Sequence, residues 1–412
     1  MKLLFISYNG STDPLFHTQG LRYLRGLRAR GLQVHVLSYE RRLGSRDAAR
    51  QAVEQLRQEL ARDGVVWHRL RYHKWPPVLS TMFDVASGIA CAWRIVMRHR
   101  ITLLHARGTI PAAVAAPVAR WTGRPWLLDL RGVVSEEYVD GGLWARGSWL
   151  HQSVGMIERG LIRRADALVV LTERAAEILT QDRSWRLPAG ITPQVIPCCA
   201  DLEPRPQERG ALPGDLAHRL TGRFVLAYVG SLGTWYLLEE MVAFYRGLLA
   251  RKPEAHLLVL TQQEHRALAQ QALERLPRAA EQTTVVSVPP DMVGGYLACA
   301  HAGMAFIKPT FSKQFSSPTK IGEYLANGVP VVVNEGVGDL DRLVSRSRVG
   351  VVLRGLHEAG IAQGVTELLE LVQDPALADR CRQAARDHLS ADWGRDRYWA
   401  IYQRLAGERE RG

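Results

Sequence analysis

Residues 316–333 read SSPTKIGEYLANGVPVVV. Ser317 is a favoured N-cap residue and Pro318 a favoured first helical residue. The helix predicted from them stops at Asn327–Gly328, because glycine takes the left-handed backbone that ends helices. Val329–Asn334, VPVVVN, then reads as a buried strand. The open helix mouth leaves backbone N–H groups free near Thr319 and Lys320, which makes an anion site. Lys320 adds positive charge there, and Glu323 falls on the same helical face one turn later. A carboxylate can accept hydrogen bonds from two neighbouring hydroxyls, as a ribose presents them. Phosphate at the mouth and sugar one turn down is a self-consistent reading. The competing structural reading is a capped helix with an i,i+3 ion pair.

Outward from this stretch, strands and helices alternate. KLLFISY, QVHVLSY, TLLHARG, PWLLDLRG, DALVVLT and QVIPCC read as strands of a first half. RFVLAYVGSLG, HLLVLT, TVVSV, AGMAFIK, VPVVVN and VGVVL repeat the pattern in a second half. Thr261 and Glu264 fit a capping box for the helix after HLLVLT. Runs that are apolar on both faces, separated by helices, predict parallel sheets covered on both sides. The fold expected is α/β, with two doubly wound Rossmann-like domains facing across a cleft. Residues 1–205 are expected to form the N-terminal domain and 223–385 the C-terminal one. Residues 386–412 are a helix that could return to the N-terminal domain. The Pro-, Gly- and charge-rich run at 201–222 is the connection. Residues 78–97 are strongly apolar but contain Asp84 and Arg94, so a core helix is expected rather than a membrane span.

Composition narrows the function classes. A chain of 412 residues, 47% hydrophobic and 23% charged, is that of a globular two-domain protein. Residues 1–200 carry 28 Lys and Arg against 16 Asp and Glu, whereas residues 201–412 carry 25 of each. The N-terminal half therefore attracts anions such as a phosphorylated substrate, nucleic acid or an anionic membrane. An arginine-biased coding genome is the alternative, since six of the 53 basic residues are Lys. No helix-turn-helix, zinc or aromatic RNA-binding signature accompanies the charge, so nucleic acid is not an expected partner. The five cysteines form no C-x-x-C pair, which fits a reducing, cytoplasmic compartment. No metal-ligand pattern is read.

SSPTKIGEYLANGVPVV resembles the C-terminal-domain signature of family 4 retaining glycosyltransferases with the GT-B fold. HTQGLRYLRGLRARGLQVHVLS, RRADALVVLTERAAEIL with VIPCCADLE, and AYVGSLG are similar to further segments of that family, in the same order. The resemblance implies transfer of a sugar from a nucleotide-diphosphate sugar to an acceptor hydroxyl, with no permanently bound cofactor and no obligatory metal. It implies that Glu323 holds the donor ribose, and that Lys320 with the N–H groups near Ser317 and Thr319 grips the diphosphate. Gly20 would let backbone approach the donor phosphate, and Gly230 with Ser231 would face the diphosphate. Two positions depart from the family: Phe315 stands where many members have a second glutamate, and Ser231 where many have an arginine. Where the family often has a strand ending in histidine, this chain has Arg131. His105 and Arg107 end the preceding strand. Arg131 or His105 is expected to contact donor or acceptor, unless the charges around Asp129 form an Arg–carboxylate lattice that holds the loop. The acceptor is expected to be a sugar, a lipid-linked phosphate sugar or another hydroxyl compound. The pathway expected is bacterial-type polysaccharide or glycolipid assembly, with the enzyme cytoplasmic and able to meet an anionic inner membrane face. A nucleotide-sugar epimerase and a non-catalytic sugar-binding subunit are the alternatives.

Overall fold

The computed structural model describes residues 1–11, 16–41, 46–202 and 212–410. Part of the expected connection, 203–211, lies outside them, and a helix at Gly214–Leu220 occupies much of the rest. Two compact units emerge: Met1–Pro197 with Gly394–Gly412, and Cys198–Trp393. The first unit thus ends at Pro197 rather than 205, and takes in most of the last helix.

The first unit holds a parallel sheet of β1 (Lys2–Ser7), β2 (Gln33–Glu40), β3 (Val66–Arg71), β4 (Leu103–Arg107), β5 (Trp126–Asp129), β6 (Ala167–Val170) and β7 (Gln194–Val195). Their spatial order is β3-β2-β1-β4-β5-β6-β7. The second unit holds β8 (Val225–Val229), β9 (His256–Leu260), β10 (Thr283–Val286), β11 (Ala302–Ala305), β12 (Val331–Asn334) and β13 (Gly350–Leu353), ordered β10-β9-β8-β11-β12-β13. Both follow the doubly wound order of nucleotide-binding sheets, in which ligands sit beyond the carboxyl ends of the strands. Four helices matter below: α1 (Pro77–His99), α2 (Trp149–Ile162), α3 (Thr319–Ala326) and α4 (Ala391–Glu410).

The strands of the second unit are apolar on both faces because both faces are covered. Ala227, Val229, Leu258, Ala305, Val331 and Val333 belong to one core layer. Leu226, Tyr228, Leu257, Val259, Met304 and Val332, their alternate neighbours, belong to the other. This is the burial pattern expected of a parallel sheet between helices.

Three local expectations are corrected. Thr261 does not open a capping box: its hydroxyl donates to the Gly230 carbonyl at 2.7 Å, which ties the end of β9 to the turn after β8. Pro318, rather than Ser317, flanks the first turn of α3, and no side chain caps it. Ser317 Oγ instead accepts from the Cys198 N–H at 3.1 Å, which fixes the approach to the helix from outside. The 78–97 stretch does form a helix, but only one stripe of it is core. Ser80, Asp84, Gly88, Ala92, Ile95 and Val96 are buried, while Leu79, Met82, Phe83, Trp93 and Met97 are exposed. Asp84 is tolerated because the Tyr8 hydroxyl and the His73 N–H both donate to it at 3.0 Å. By length and composition α1 could cross a membrane.

Candidate functional site

At the carboxyl end of β8 the chain turns through Gly230, whose φ of +120° is open mainly to glycine. A methyl group built on Gly230 would lie 3.0 Å from Lys320 Nζ. The turn therefore needs glycine for its backbone and for the lysine pressed against it. Lys320 is 6% exposed. Its ammonium lies 4.0 Å from the Tyr236 ring centre and 4.2 Å from that of Tyr228, and donates to the Tyr228 hydroxyl at 3.1 Å. Cation–π contact compensates only part of the lost hydration. Burial accordingly pushes the Lys320 pKa down to about 7, against the pull of Glu323. Burial therefore disfavours the charged form of the lysine expected to grip the diphosphate.

The rest of the second unit supports this lysine. Tyr324, fully buried one turn further along the same face of α3, accepts from the Val229 N–H at 2.8 Å, and its hydroxyl lies 3.3 Å from the carbonyls of Ala227 and Met304. It seats α3 on β8 and β11. Gly303 leaves room for that ring, since a methyl there would be 2.5 Å from it. The Tyr228 hydroxyl donates to the Ser231 carbonyl at 2.5 Å and so fixes the turn. Glu323 is half-buried one turn along α3, and Thr319 is half-buried at its start. A second ammonium, that of Lys313, lies 3.8 Å over the Trp235 ring, so Trp235 and Tyr236 in succession each carry a lysine. Phe315 is 1% exposed and packs near Phe311, so it offers no polar group where the family resemblance would have a glutamate.

In the first unit the lattice reading describes what surrounds Asp129. This carboxylate ends β5 and is 1% exposed. Arg131 Nη1 lies 3.3 Å from one oxygen, and Arg107 Nη1 and the Tyr398 hydroxyl lie 3.4 and 3.1 Å from the other. Burial acts to raise its pKa, but Arg131, His105 and Arg107 overcome this and hold it well below the ordinary carboxylate range. Arg131 also donates to Gln19 Oε1 at 3.3 Å. His105 is 2% exposed; its Nδ1 meets the Tyr402 hydroxyl at 2.6 Å, and its Nε2 lies 3.5 Å from Asp129. Burial lowers its pKa despite that neighbour. His105 thus packs beneath α4, which carries both tyrosines. Gly20 lies in a helical turn, His17–Leu21, where a methyl would stand 3.1 Å from the Phe16 ring.

The loop after β5 rests on Glu158 of α2, which sequence reasoning did not single out. It is 1% exposed and accepts from Val134 N, Ser135 N, Ser135 Oγ and Thr109 Oγ1 at 2.6–3.1 Å. Tyr228, Tyr236, Tyr324 and Tyr398 were missed as well. Their only sequence signal is an aromatic next to a glycine turn or inside an ordinary apolar helix.

Residues 17–190 match a family model described as a glycosyl transferase 4-like domain. Solved structures match nearly the full length. Sucrose-phosphate synthase from Thermosynechococcus elongatus is 15% identical, with 99% of this chain and 100% of that chain covered and a TM-score of 0.73. The chain has the GT-B fold, and its residues 17–190 are similar to the glycosyl transferase 4-like domain. The Anabaena protein HepE in complex with UDP-glucose also has this fold: it is 15% identical, with 98% and 99% covered and a TM-score of 0.71. A glycosyltransferase from Rickettsia africae matches at 11% identity, with 98% of each chain covered and a TM-score of 0.69. At these identities the likeness is one of GT-B architecture. No curated protein matches the sequence.

Proposed function

We propose that this chain is a retaining glycosyltransferase that moves a sugar from a nucleotide-diphosphate sugar to an acceptor hydroxyl. The observation that carries the reading is Lys320, an ammonium buried between two tyrosines beside the mouth of a helix, with one hydrogen bond among the described residues. A buried cation with so few partners is costly unless an anion completes it. A diphosphate at the mouth of α3 would do so, with Lys320 and the N–H groups near Ser317 and Thr319 facing the charge that grows on the leaving group. Gly230 and Ser231 would line the same diphosphate, and Glu323 would take the ribose hydroxyls. The departing phosphate oxygen would accept the acceptor's proton, so bond making and proton transfer need no protein nucleophile. Arg131 is the N-terminal candidate for donor or acceptor contact. His105 in this reading orients β4 and α4.

HepE was solved with UDP-glucose, which makes UDP the first donor base to try. The test is a thermal-shift panel of UDP, GDP, ADP, TDP and CDP. A nucleotide present at about 100 times its Kd should stabilise the chain by about 2.7 kcal/mol. Product analysis with the matching sugar then separates transfer from epimerisation. If no nucleoside diphosphate raises Tm, the reading fails.

The acceptor in this proposal is lipid-linked, and the enzyme works in the cytoplasm at an anionic membrane face. Support comes from α1. Leu79, Met82, Phe83, Ala86, Ala90, Trp93 and Met97 are exposed at helical spacing, with Trp75 just before them. Arg94, Arg98 and Arg100 are exposed at the carboxyl end of the helix. An apolar stripe beside arginines is the pattern of a helix lying in a lipid interface. Co-sedimentation with vesicles containing phosphatidylglycerol should be strong, weak with phosphatidylcholine alone, and lost in Phe83→Glu/Trp93→Glu. Equal recovery of variant and parent would sink the membrane assignment.

A further inference from the structure

Three histidines from separate elements meet on one face of the first sheet. His35 lies in β2, His68 in β3 and His99 in the last turn of α1. In the sheet register His68 stands opposite Leu37, so His35 and His68 project from the same face, to which α1 brings His99. His35 Nδ1 and His68 Nε2 are 3.1 Å apart. One ligand atom from each of the three lies within 4.8 Å of the others. His35 is buried, and His68 and His99 are half-buried. From this convergence we infer a divalent transition-metal site, of the zinc class, held by His35, His68 and His99.

The chemistry fits the donor set. Nitrogen ligands about 2.0–2.1 Å from zinc stand roughly 3.3 Å apart around a tetrahedron, close to the spacing of the His35–His68 pair. A small side-chain rotation of the half-buried His99 and His68 closes the rest, and water takes the fourth position. Without an ion the facing nitrogens of His35 and His68 share a hydrogen bond; moving the donor ring's proton to its other nitrogen turns both lone pairs to the ion. The nearby cation is Lys2, whose ammonium donates to the His99 carbonyl at 3.2 Å. It disfavours a bound cation electrostatically, so its removal should tighten the site.

Position decides the role. His35 follows the start of β2, and Lys2 begins β1. The cluster thus lies towards the amino ends of the strands, whereas Asp129 ends β5 at the carboxyl side. The metal would be structural: it would staple edge strand β3 and the end of α1 to the sheet, and so hold the helix that exposes the apolar stripe.

The test uses the full chain purified without a polyhistidine tag, stripped with chelator and titrated with Co²⁺ and Zn²⁺. The expected result is one ion per chain, a visible Co²⁺ d–d spectrum of low coordination number, and a Tm that rises on zinc loading. His68→Ala and His99→Ala should each weaken binding at least about tenfold, and Lys2→Met should strengthen it. Circular dichroism of the metal-free variants checks their folding, with His99→Asn as a second variant. Absence of stoichiometric binding, or equal binding by the His68→Ala/His99→Ala double variant, overturns the site.

Discussion

Lys320 and Asp129 are both buried charges near the carboxyl ends of Rossmann-like sheets, yet they are treated in opposite ways. Asp129 has two guanidinium groups and a tyrosine hydroxyl at 3.1–3.4 Å. It is held ionised, and its loop is anchored to the fold. Lys320 has one hydroxyl and two ring faces, and burial brings its pKa to about 7. A saturated charge serves structure. An under-partnered one is poised for a ligand, because an incoming anion gains what the fold withholds.

Three measurements can break or sharpen that contrast. The largest effect is expected from Asp129→Ala. It removes the buried carboxylate that Arg107 and Arg131 share, and should lower unfolding stability by about 3–5 kcal/mol, read as a fall in the urea midpoint at unchanged slope. A loss under about 1 kcal/mol would mean that the lattice is not structural. Next is Lys320→Met, which keeps the stem and removes the charge. Turnover should fall roughly tenfold to a hundredfold, the worth of a charge-assisted contact. Stability should rise by about 0.5–2 kcal/mol. Lower activity together with lower stability would make Lys320 a packing residue like Asp129.

The smallest effect is the pH dependence, and its sign differs between the two residues. Above pH 7 the folded chain releases the Lys320 proton, while the unfolded chain keeps it up to about its ordinary 10.5. The unfolded state then binds more protons, so this residue makes stability rise with pH across that window. Asp129 contributes fully above its ordinary 3.8 and loses that contribution as pH falls below it. Nucleotide binding should restore the lysine proton. UDP affinity should therefore weaken several-fold from pH 6.5 to 8.5 in the parent chain, by the same proton linkage, and stay flat in Lys320→Met. Calorimetry in buffers of different ionisation enthalpy would register the proton uptake.

The sheets were legible where the chain is buried on both faces. VLAYV, HLLVL and VVVN announce themselves because a parallel strand between two helix layers can be apolar throughout. β3 was not legible, because VWHRLR is an edge strand whose residues are exposed or half-buried. The helix of 316–333 was legible to within one residue at its start. Ser317 misleads because its hydroxyl is claimed by Cys198, far away in sequence. Lys320 and Glu323 could be named from spacing. The tyrosine pair around the lysine could not, since Tyr228 and Tyr236 come from a strand and a turn far from it in the sequence. His35, His68 and His99 are likewise too far apart in the chain for any ligand spacing to show.

The amino-acid order alone determined the alternation of strand and helix, the two-domain α/β class and the residue types at the mouth of α3. These follow from local periodicity and propensity, which act over a few residues. Only the tertiary structure decided that burial lowers the Lys320 pKa, that Asp129 is saturated, that α1 shows its apolar stripe to solvent and that three histidines converge. Desolvation and charge pairing depend on which distant segments crowd a group, and that is settled only when the chain has folded.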